Sequence, residues 1–174
     1  GLILFKRNIK SFNKLKKLIM NIKRLTRDKK FPVLIDEEGL SVTRLSSIIN
    51  HNIDANYFGY LYEEDREVAL KLYKSYLVSL CKKLRTLGIN VNTIPVLDVL
   101  RKNTNKIIGK RSFSENEKIV KKLGEETIKK CHLNNIATVM KHIPGHGCST
   151  KDSHLTLPKI NLSESVLNKK DFYP

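Results

Sequence analysis

Four short, mostly apolar segments recur along the chain and predict strands. They span residues 1–5, 31–35, 89–99 and 136–143. Apolar runs with little alternation are typical of strands whose two faces are both covered. Pro95 lies within the third segment and lacks a backbone donor, so it predicts a bulge or the end of that strand.

Between these segments, apolar residues recur at steps of three and four and predict helices. Four helices are predicted. The first begins at Ser11 and the second spans Asp65 to Leu87. The third runs from a Ser114–Glu117 capping box to about Cys131, and the fourth begins at Ser163. The stripes comprise Phe12, Leu15, Leu18, Ile19, Ile22 and Leu25 in the first helix and Ala69, Leu72, Tyr76, Leu80, Leu84 and Leu87 in the second. Gly88 suits the left-handed residue that commonly ends a helix.

The alternation of strands and helices favours parallel strands joined by crossover helices. A doubly wound sheet and a barrel both fit this order. Asp36, Asp98, Lys141 and His142 lie at or near the carboxyl ends of strands, where barrel enzymes keep their chemistry. A closed barrel takes about 250 residues and eight strands. We therefore predict an incomplete (β/α)8 TIM barrel, with residues 1–174 as a single partial domain. Its open edges should lead it to associate, to aggregate or to depend on missing sequence.

Composition limits the function classes. With 40% hydrophobic residues the chain can form a core, and no apolar run approaches the roughly 20 residues that span a bilayer. Three widely spaced cysteines predict a reducing compartment, here the cytoplasm, rather than a disulfide framework. The net charge of +16 raises nucleic acid as a partner, but 25 Lys against 8 Arg, spread over nearly every predicted helix, favour a solvated surface. We expect no specific nucleic acid and no membrane partner.

The most informative segment reads KHIPGHG at 141–147, followed by Asp152-Ser153-His154. It leaves a strand, turns on two glycines around a histidine, and then places a carboxylate two residues before an imidazole. An Asp that accepts from one ring nitrogen fixes the tautomer of its His and favours the imidazolium. This pattern indicates proton transfer near neutral pH.

These segments resemble the bacterial β-N-acetylhexosaminidases of glycoside hydrolase family 3. KHIPGHG with DSH is similar to their signature, and FPVLIDEEGLSVTRL, GINVNTIPVLDV and the tripeptide RSF at 111–113 are similar to further family segments in the expected order. The resemblance covers essentially the whole chain. It implies that the terminal sugar is held by Asp36, Arg44, Arg111, Lys141 and His142. It also implies that His154 is the general acid/base, with Asp152 as its partner, on a mobile loop between Gly145 and Pro158.

The chain departs from the family pattern in two places. Leu40 and Ser41 follow Gly39 where the family has Gly-Gly-Arg. The nucleophile of the family is an Asp on a later strand, whereas Asp171 resembles a helix residue. A retaining reaction needs that carboxylate, so we expect the 174-residue chain alone to hydrolyse little or nothing.

The resemblance implies removal of terminal N-acetylglucosamine from peptidoglycan fragments during cell-wall recycling, without a cofactor. The resemblance also implies that the first strand and the last strands of the barrel are absent, and a complementing polypeptide that supplies them is one candidate partner, which the sequence does not decide. Two alternatives stay open: an inactive product of a split or decayed gene, and a basic nucleic-acid-binding module. A zinc set of His142, His146, Cys148 and His154 is disfavoured because its spacing matches no common pattern. No motif surrounds His51 or His132, which we expect at the surface or in packing.

Overall fold

Four parallel strands form one open sheet in the computed structural model, which describes residues 1–50 and 52–174. The strands are β1 (Leu2–Leu4), β2 (Val33–Ile35), β3 (Val91–Asn92) and β4 (Ala137–Thr138), and their spatial order is their order along the chain. Leu34 pairs with Ile3 on one side and with Val91 on the other. A single bridge between Val96 and Lys141 extends the pairing of β3 and β4 beyond their ends. The predicted incomplete barrel is confirmed.

Five helices accompany the strands in the described residues. They are α1 (Phe12–Leu25), α2 (Ala55–Glu64), α3 (Arg66–Leu87), α4 (Glu117–Leu133) and α5 (Glu164–Lys169), with short 3-10 turns at Lys6–Asn8 and Gly109–Arg111. Side chains from α1, α3 and α4 pack on the apolar strand residues to form one core. Each strand is thereby joined to its parallel neighbour by a segment that contains at least one helix. None of the described helices is long and apolar enough to cross a membrane.

The ends of the helices follow local side-chain chemistry. Ser11 accepts a hydrogen bond from Lys14 N at the start of α1, and Gly88 ends α3 with a φ of 91°. The predicted Ser114–Glu117 capping box is wrong. The N-cap of α4 is Asn116, whose side chain accepts from Lys118 N. Ser114 lies before the helix because its hydroxyl donates to Glu63 instead.

The buried face of α3 includes most of the predicted stripe and is wider than it. Ala69, Leu80, Leu84 and Leu87 of that stripe are buried, whereas Leu72 keeps 47% of its surface exposed. Tyr73 and Leu77 are buried as well, because α2 and α4 both pack against α3. In α1, Leu15 and Ile19 are buried but Leu25 is exposed, because this outer helix has fewer neighbours.

Helix α2 is absent from the predicted elements. Six of its ten residues are apolar or aromatic, and they are spread around the helix rather than along one side, so no stripe marks it in the sequence. Phe58 of α2 is buried against the rings of Tyr73 and Tyr76, so this ring is not available at the surface. Gly59 lets α2 approach the backbone of Phe113, since an added Cβ would lie far inside contact distance of its carbonyl oxygen.

The two outer strands leave apolar side chains exposed. Beyond β4, Met140 and Ile143 are 47% and 74% exposed, and Ile3 of β1 is 43% exposed. These positions match the open edges expected of a barrel fragment. His132 is exposed, and His51 lies outside the described residues.

Candidate active site

Asp36 directly follows β2 and lies at the carboxyl edge of the sheet. Its Oδ2 accepts a hydrogen bond from Arg44 Nη2 at 2.9 Å, and its Oδ1 accepts one from Thr93 Oγ1 at 2.6 Å. The Nζ of Lys141 lies 3.6 Å from Oδ1. The side chain of Asp36 nevertheless keeps 18% of its surface exposed. It is therefore held by three neighbours and still reachable from solvent.

These neighbours lower the pKa of Asp36. Burial raises the pKa, but the hydrogen bonds from Thr93 and Arg44, together with the positive charges of Lys141 and Arg44, outweigh burial and hold it below the ordinary value of 3.8. The ionised carboxylate therefore stabilises the fold above the unfolded-state pKa, and this contribution is lost as the pH falls through the lower folded-state pKa.

We expect Asp36 to titrate below 3.8 in a ¹³C NMR titration of its carboxyl carbon. Replacement of Thr93 with valine removes one donor and should raise the midpoint. Lys14→Ala, a change in the exposed first turn of α1, is the control and should leave it unchanged. A wild-type midpoint at or above 3.8 would contradict the described contacts.

Glu38 joins two of the predicted sugar-binding residues. Its carboxylate accepts from Arg111 Nε at 2.8 Å and Nη2 at 3.0 Å, and its Oε1 lies 2.5 Å from Lys141 Nζ. Lys141 Nζ also donates to Thr93 Oγ1 at 2.9 Å. Burial lowers the pKa of Arg111, but the hydrogen bonds and charge of Glu38 outweigh it and raise that pKa, so Arg111 stays cationic.

Glu38 and Thr93 are not among the residues predicted from sequence. The sequence could have indicated Glu38 as a site residue. It lies two residues after Asp36 in an extended segment, where alternate side chains point to the same side. Thr93 carries no comparable signal. Its role depends on the pairing of β2 with β3, which brings it beside Asp36.

His142 binds a buried carboxylate. Its Nδ1 lies 2.5 Å from Asp98 Oδ2, and Arg111 Nη2 lies 3.4 Å from its Nε2. The other oxygen of Asp98 accepts from the backbone N–H of His146 at 2.6 Å. Asp98, which the sequence placed near the carboxyl end of a strand, is 1% exposed.

Asp152 and His154 form a second carboxylate–imidazole pair. Asp152 Oδ1 lies 2.7 Å from His154 Nδ1 and accepts from the backbone N–H of His154 at 2.8 Å. These two interactions lower the pKa of Asp152, the backbone hydrogen bond first and the side-chain bond second. The side chain of His154 is 75% exposed. Its Nε2 is therefore open to solvent while its Nδ1 is held.

The structure brings the five predicted sugar-binding residues into one group. Glu38, Thr93 and Asp98 lie among them. We call all eight residues the rim cluster: Asp36, Glu38, Arg44, Thr93, Asp98, Arg111, Lys141 and His142. Its three carboxylates balance its three Lys and Arg cations, so the rim cluster carries no net formal charge when His142 is neutral. The chain's large positive charge therefore lies elsewhere.

The loop with Asp152 and His154 is connected to the rim cluster through His146. The rings of His142 and His146 lie 5.9 Å apart, and His146 Nε2 lies 3.3 Å from Ser153 Oγ. Ser153 separates Asp152 from His154. Both carboxylate–imidazole pairs therefore lie on the carboxyl side of the sheet.

The departure at Leu40 and Ser41 is accommodated by Asp54. Ser41 donates to Asp54 from its backbone N–H and from its hydroxyl, both at 2.7 Å, and Leu40 N donates to Ile53 O. An added Cβ on Gly39 would lie 2.7 Å from Ile53 O, so the loop packs closely on this segment. The loop after Asp36 is thus fixed against the segment before α2.

Cys148 lies outside the rim cluster. Its thiol lies 2.6 Å from Asp171 Oδ2, which Arg101 Nη2 also contacts at 2.6 Å. Burial, followed by the hydrogen bond and charge of Asp171, raises the pKa of Cys148 to about 12. This agrees with a loop residue rather than a nucleophile. Within residues 1–50 and 52–174, no three His, Cys, Asp or Glu side chains are grouped to hold a metal ion.

An open parallel sheet with an ionic cluster and a loop imidazole on its carboxyl side has the layout of a barrel enzyme domain. Residues 1–174 match the glycosyl hydrolase family 3 N-terminal domain over their full length. The chain belongs to this family of glycoside hydrolases.

Named relatives share this family. A β-hexosaminidase from Neisseria meningitidis is 33% identical over 175 residues, covering 100% of this chain and 48% of its own length. The β-hexosaminidase A of Pseudoalteromonas piscicida is 34% identical over 82% of this chain and 23% of its own. The solved structure of NagZ from Neisseria gonorrhoeae with N-trifluoroacetyl-D-glucosamine superposes with a TM-score of 0.88 at 31% identity, over 99% of this chain and 50% of that one. The chain thus spans half or less of these proteins.

Proposed function

We propose that residues 1–174 form one partial barrel domain that holds a terminal N-acetylglucosamine and supplies the acid/base of a retaining β-N-acetylhexosaminidase. The observation that carries the proposal is the position of the rim cluster beside a loop with an Asp–His pair. The printed names of the relatives, and the N-acylglucosamine bound to one of them, support the same substrate class.

The rim cluster has the chemistry to bind a neutral sugar. Asp36 is the partly exposed carboxylate, and its two oxygens have lone pairs left for sugar hydroxyls. Arg44, with 32% of its side chain exposed, and His142, with 35%, offer further polar atoms. Because the charges are balanced within the cluster, binding relies on directed hydrogen bonds rather than on attraction to an anion.

The Asp152–His154 pair has the chemistry of an acid/base. With Nδ1 bound to Asp152, the exposed Nε2 can give a proton to the departing glycosidic oxygen. In the second half of a retaining reaction the same nitrogen takes a proton from water. An exposed loop position suits this role, because the imidazole must approach the leaving-group side of a bound sugar.

The nucleophile of such a reaction has no candidate within the rim cluster. Asp36 accepts from Arg44, Glu38 accepts from Arg111, and the Asp98 carboxylate is bound to His142. A carboxylate neutralised in this way is a poor nucleophile. We infer that the covalent step needs an aspartate from a further stretch of polypeptide.

An apolar groove beside β4 is the surface that such a polypeptide would cover. The groove has a volume of about 430 Å³ and is lined by Leu97, Met140, His142, Ile143, Pro144, Asp171, Phe172 and Pro174. It borders the outer edge of β4, where a further parallel strand would pair. A strand docked there would reach the sheet's carboxyl side next to His142.

The substrates we propose are N-acetylglucosamine-containing fragments of peptidoglycan, cleaved in the cytoplasm during cell-wall recycling. The three cysteines are an odd number at wide spacing along the sequence, which argues against a disulfide framework and supports a reducing compartment.

Two measurements on the 174-residue chain test the proposal. Titration with N-acetylglucosamine should shift NMR signals of Asp36, Lys141 and His142, and glucose, the matched control without the N-acetyl group, should bind more weakly. An aryl N-acetylglucosaminide should be hydrolysed at close to the uncatalysed rate. Absence of shifts at the rim cluster would refute the sugar site, and turnover at an ordinary enzymatic rate would refute the missing nucleophile.

A further inference from the structure

Asp98 is a buried carboxylate to which the proposed reaction gives no role, although both of its oxygens are used. Oδ2 lies 2.5 Å from His142 Nδ1 and Oδ1 accepts from His146 N at 2.6 Å. Val96 and Lys141 form a parallel bridge between the segments that follow β3 and β4. Asp98 comes two residues after Val96 and His142 one residue after Lys141, so this bridge places the carboxylate beside the imidazole. With 1% of its surface exposed, Asp98 is shielded from water that could replace either bond.

These bonds determine where His142 carries its proton. A carboxylate only accepts hydrogen bonds, so the ring must donate from Nδ1. In a neutral ring Nε2 then has a free lone pair, and this is the atom that Arg111 Nη2 approaches at 3.4 Å. The other tautomer would place two donors, Nε2–H and the guanidinium, against each other.

We propose that Asp98 is a positioning residue for the sugar site, acting through His142. It keeps the proton on Nδ1, holds the ring beside Arg111, and leaves Nε2 as an acceptor at the rim cluster. The His146 N–H holds the carboxylate in place and ties the start of the acid/base loop to the same residue. The consequence for sugar binding rests on the function proposed above, whereas the tautomer does not.

The tautomer can be measured in the chain without sugar. At pH 8, long-range ¹H–¹⁵N spectra should show His142 protonated on Nδ1. In Asp98→Asn the amide can present its NH2 group to Nδ1, so the proton should move to Nε2. Asp152→Asn is the matched control, because it removes the carboxylate of the other pair and should leave the His142 tautomer unchanged. Wild-type His142 protonated only on Nε2 would overturn the proposal, even if the Asp98 variant failed to fold.

Sugar affinity tests the consequence. Asp98→Asn should weaken N-acetylglucosamine binding by up to about tenfold, the upper end for one hydrogen bond between neutral groups. His142→Gln should weaken it similarly, and the double variant should be no weaker than His142→Gln alone. Additive losses would mean that Asp98 does not act through His142. If wild-type chain binds no sugar while the tautomer changes as expected, the proposed function fails and the positioning of His142 stands.

Discussion

Replacement of Glu38 with alanine should lower the free energy of unfolding by about 3 kcal/mol, the lower end of the range for breaking a buried ion pair. Glu38 is 6% exposed at its side chain, and its partners Arg111 and Lys141 are 12% and 16% exposed. Without the carboxylate, Arg111 would lose its ion-pair partner and Lys141 would keep only the more distant Asp36, 3.6 Å away, while both cations stay in a poorly hydrated site. Their mutual repulsion adds to the cost of desolvation.

Urea unfolding measures this loss from the shift in midpoint at constant slope. Glu38→Gln keeps the shape and one acceptor, and we expect an intermediate loss that separates charge from packing. Glu115→Ala removes an exposed carboxylate and is the control, with an expected change within about 0.5 kcal/mol. Equal stability of the Glu38 and Glu115 variants would show that Glu38 does not hold the two cations together.

Replacement of Asp36 with alanine should reduce N-acetylglucosamine affinity by at least about 30-fold, which would place binding beyond detection if the wild-type affinity is millimolar. A hydrogen bond to a charged group contributes about 1.5–3 kcal/mol, and Asp36 has lone pairs for more than one sugar hydroxyl. The loss also frees Arg44 from its partner at 2.9 Å. Both effects act on the sugar site and not on the distant core.

Isothermal titration or NMR titration measures the affinity. Asp28→Ala is the matched control, since Asp28 is exposed in the turn after α1 and should leave binding unchanged. Unfolding of the Asp36 variant must be excluded by its circular dichroism spectrum. Binding within threefold of wild type would remove Asp36 from the site.

Apolar periodicity in the sequence predicted most of the helices and strands, but it did not predict features that depend on how the helices pack against one another. The four strands and the helices that became α1, α3 and α4 follow from apolar periodicity, because that pattern reflects burial on one side or on both. Helix α2 was missed because its apolar and aromatic residues are spread around the helix and form no single stripe. Most of the predicted α3 stripe is buried, but which of Leu72 and Tyr73 is covered depends on the position of α2 and α4.

The sequence by itself determined the alternation of parallel strands with helices, the polar residues at the carboxyl ends of the strands, and the Asp152–His154 pair, whose partners are two residues apart. These features depend on local spacing. Only the tertiary structure decided that Glu38 contacts Arg111, 73 positions away, and that Asp98 contacts His142, 44 positions away. Such contacts depend on strand register and loop course, which are set by the packing of the whole domain and leave no periodic trace in the chain.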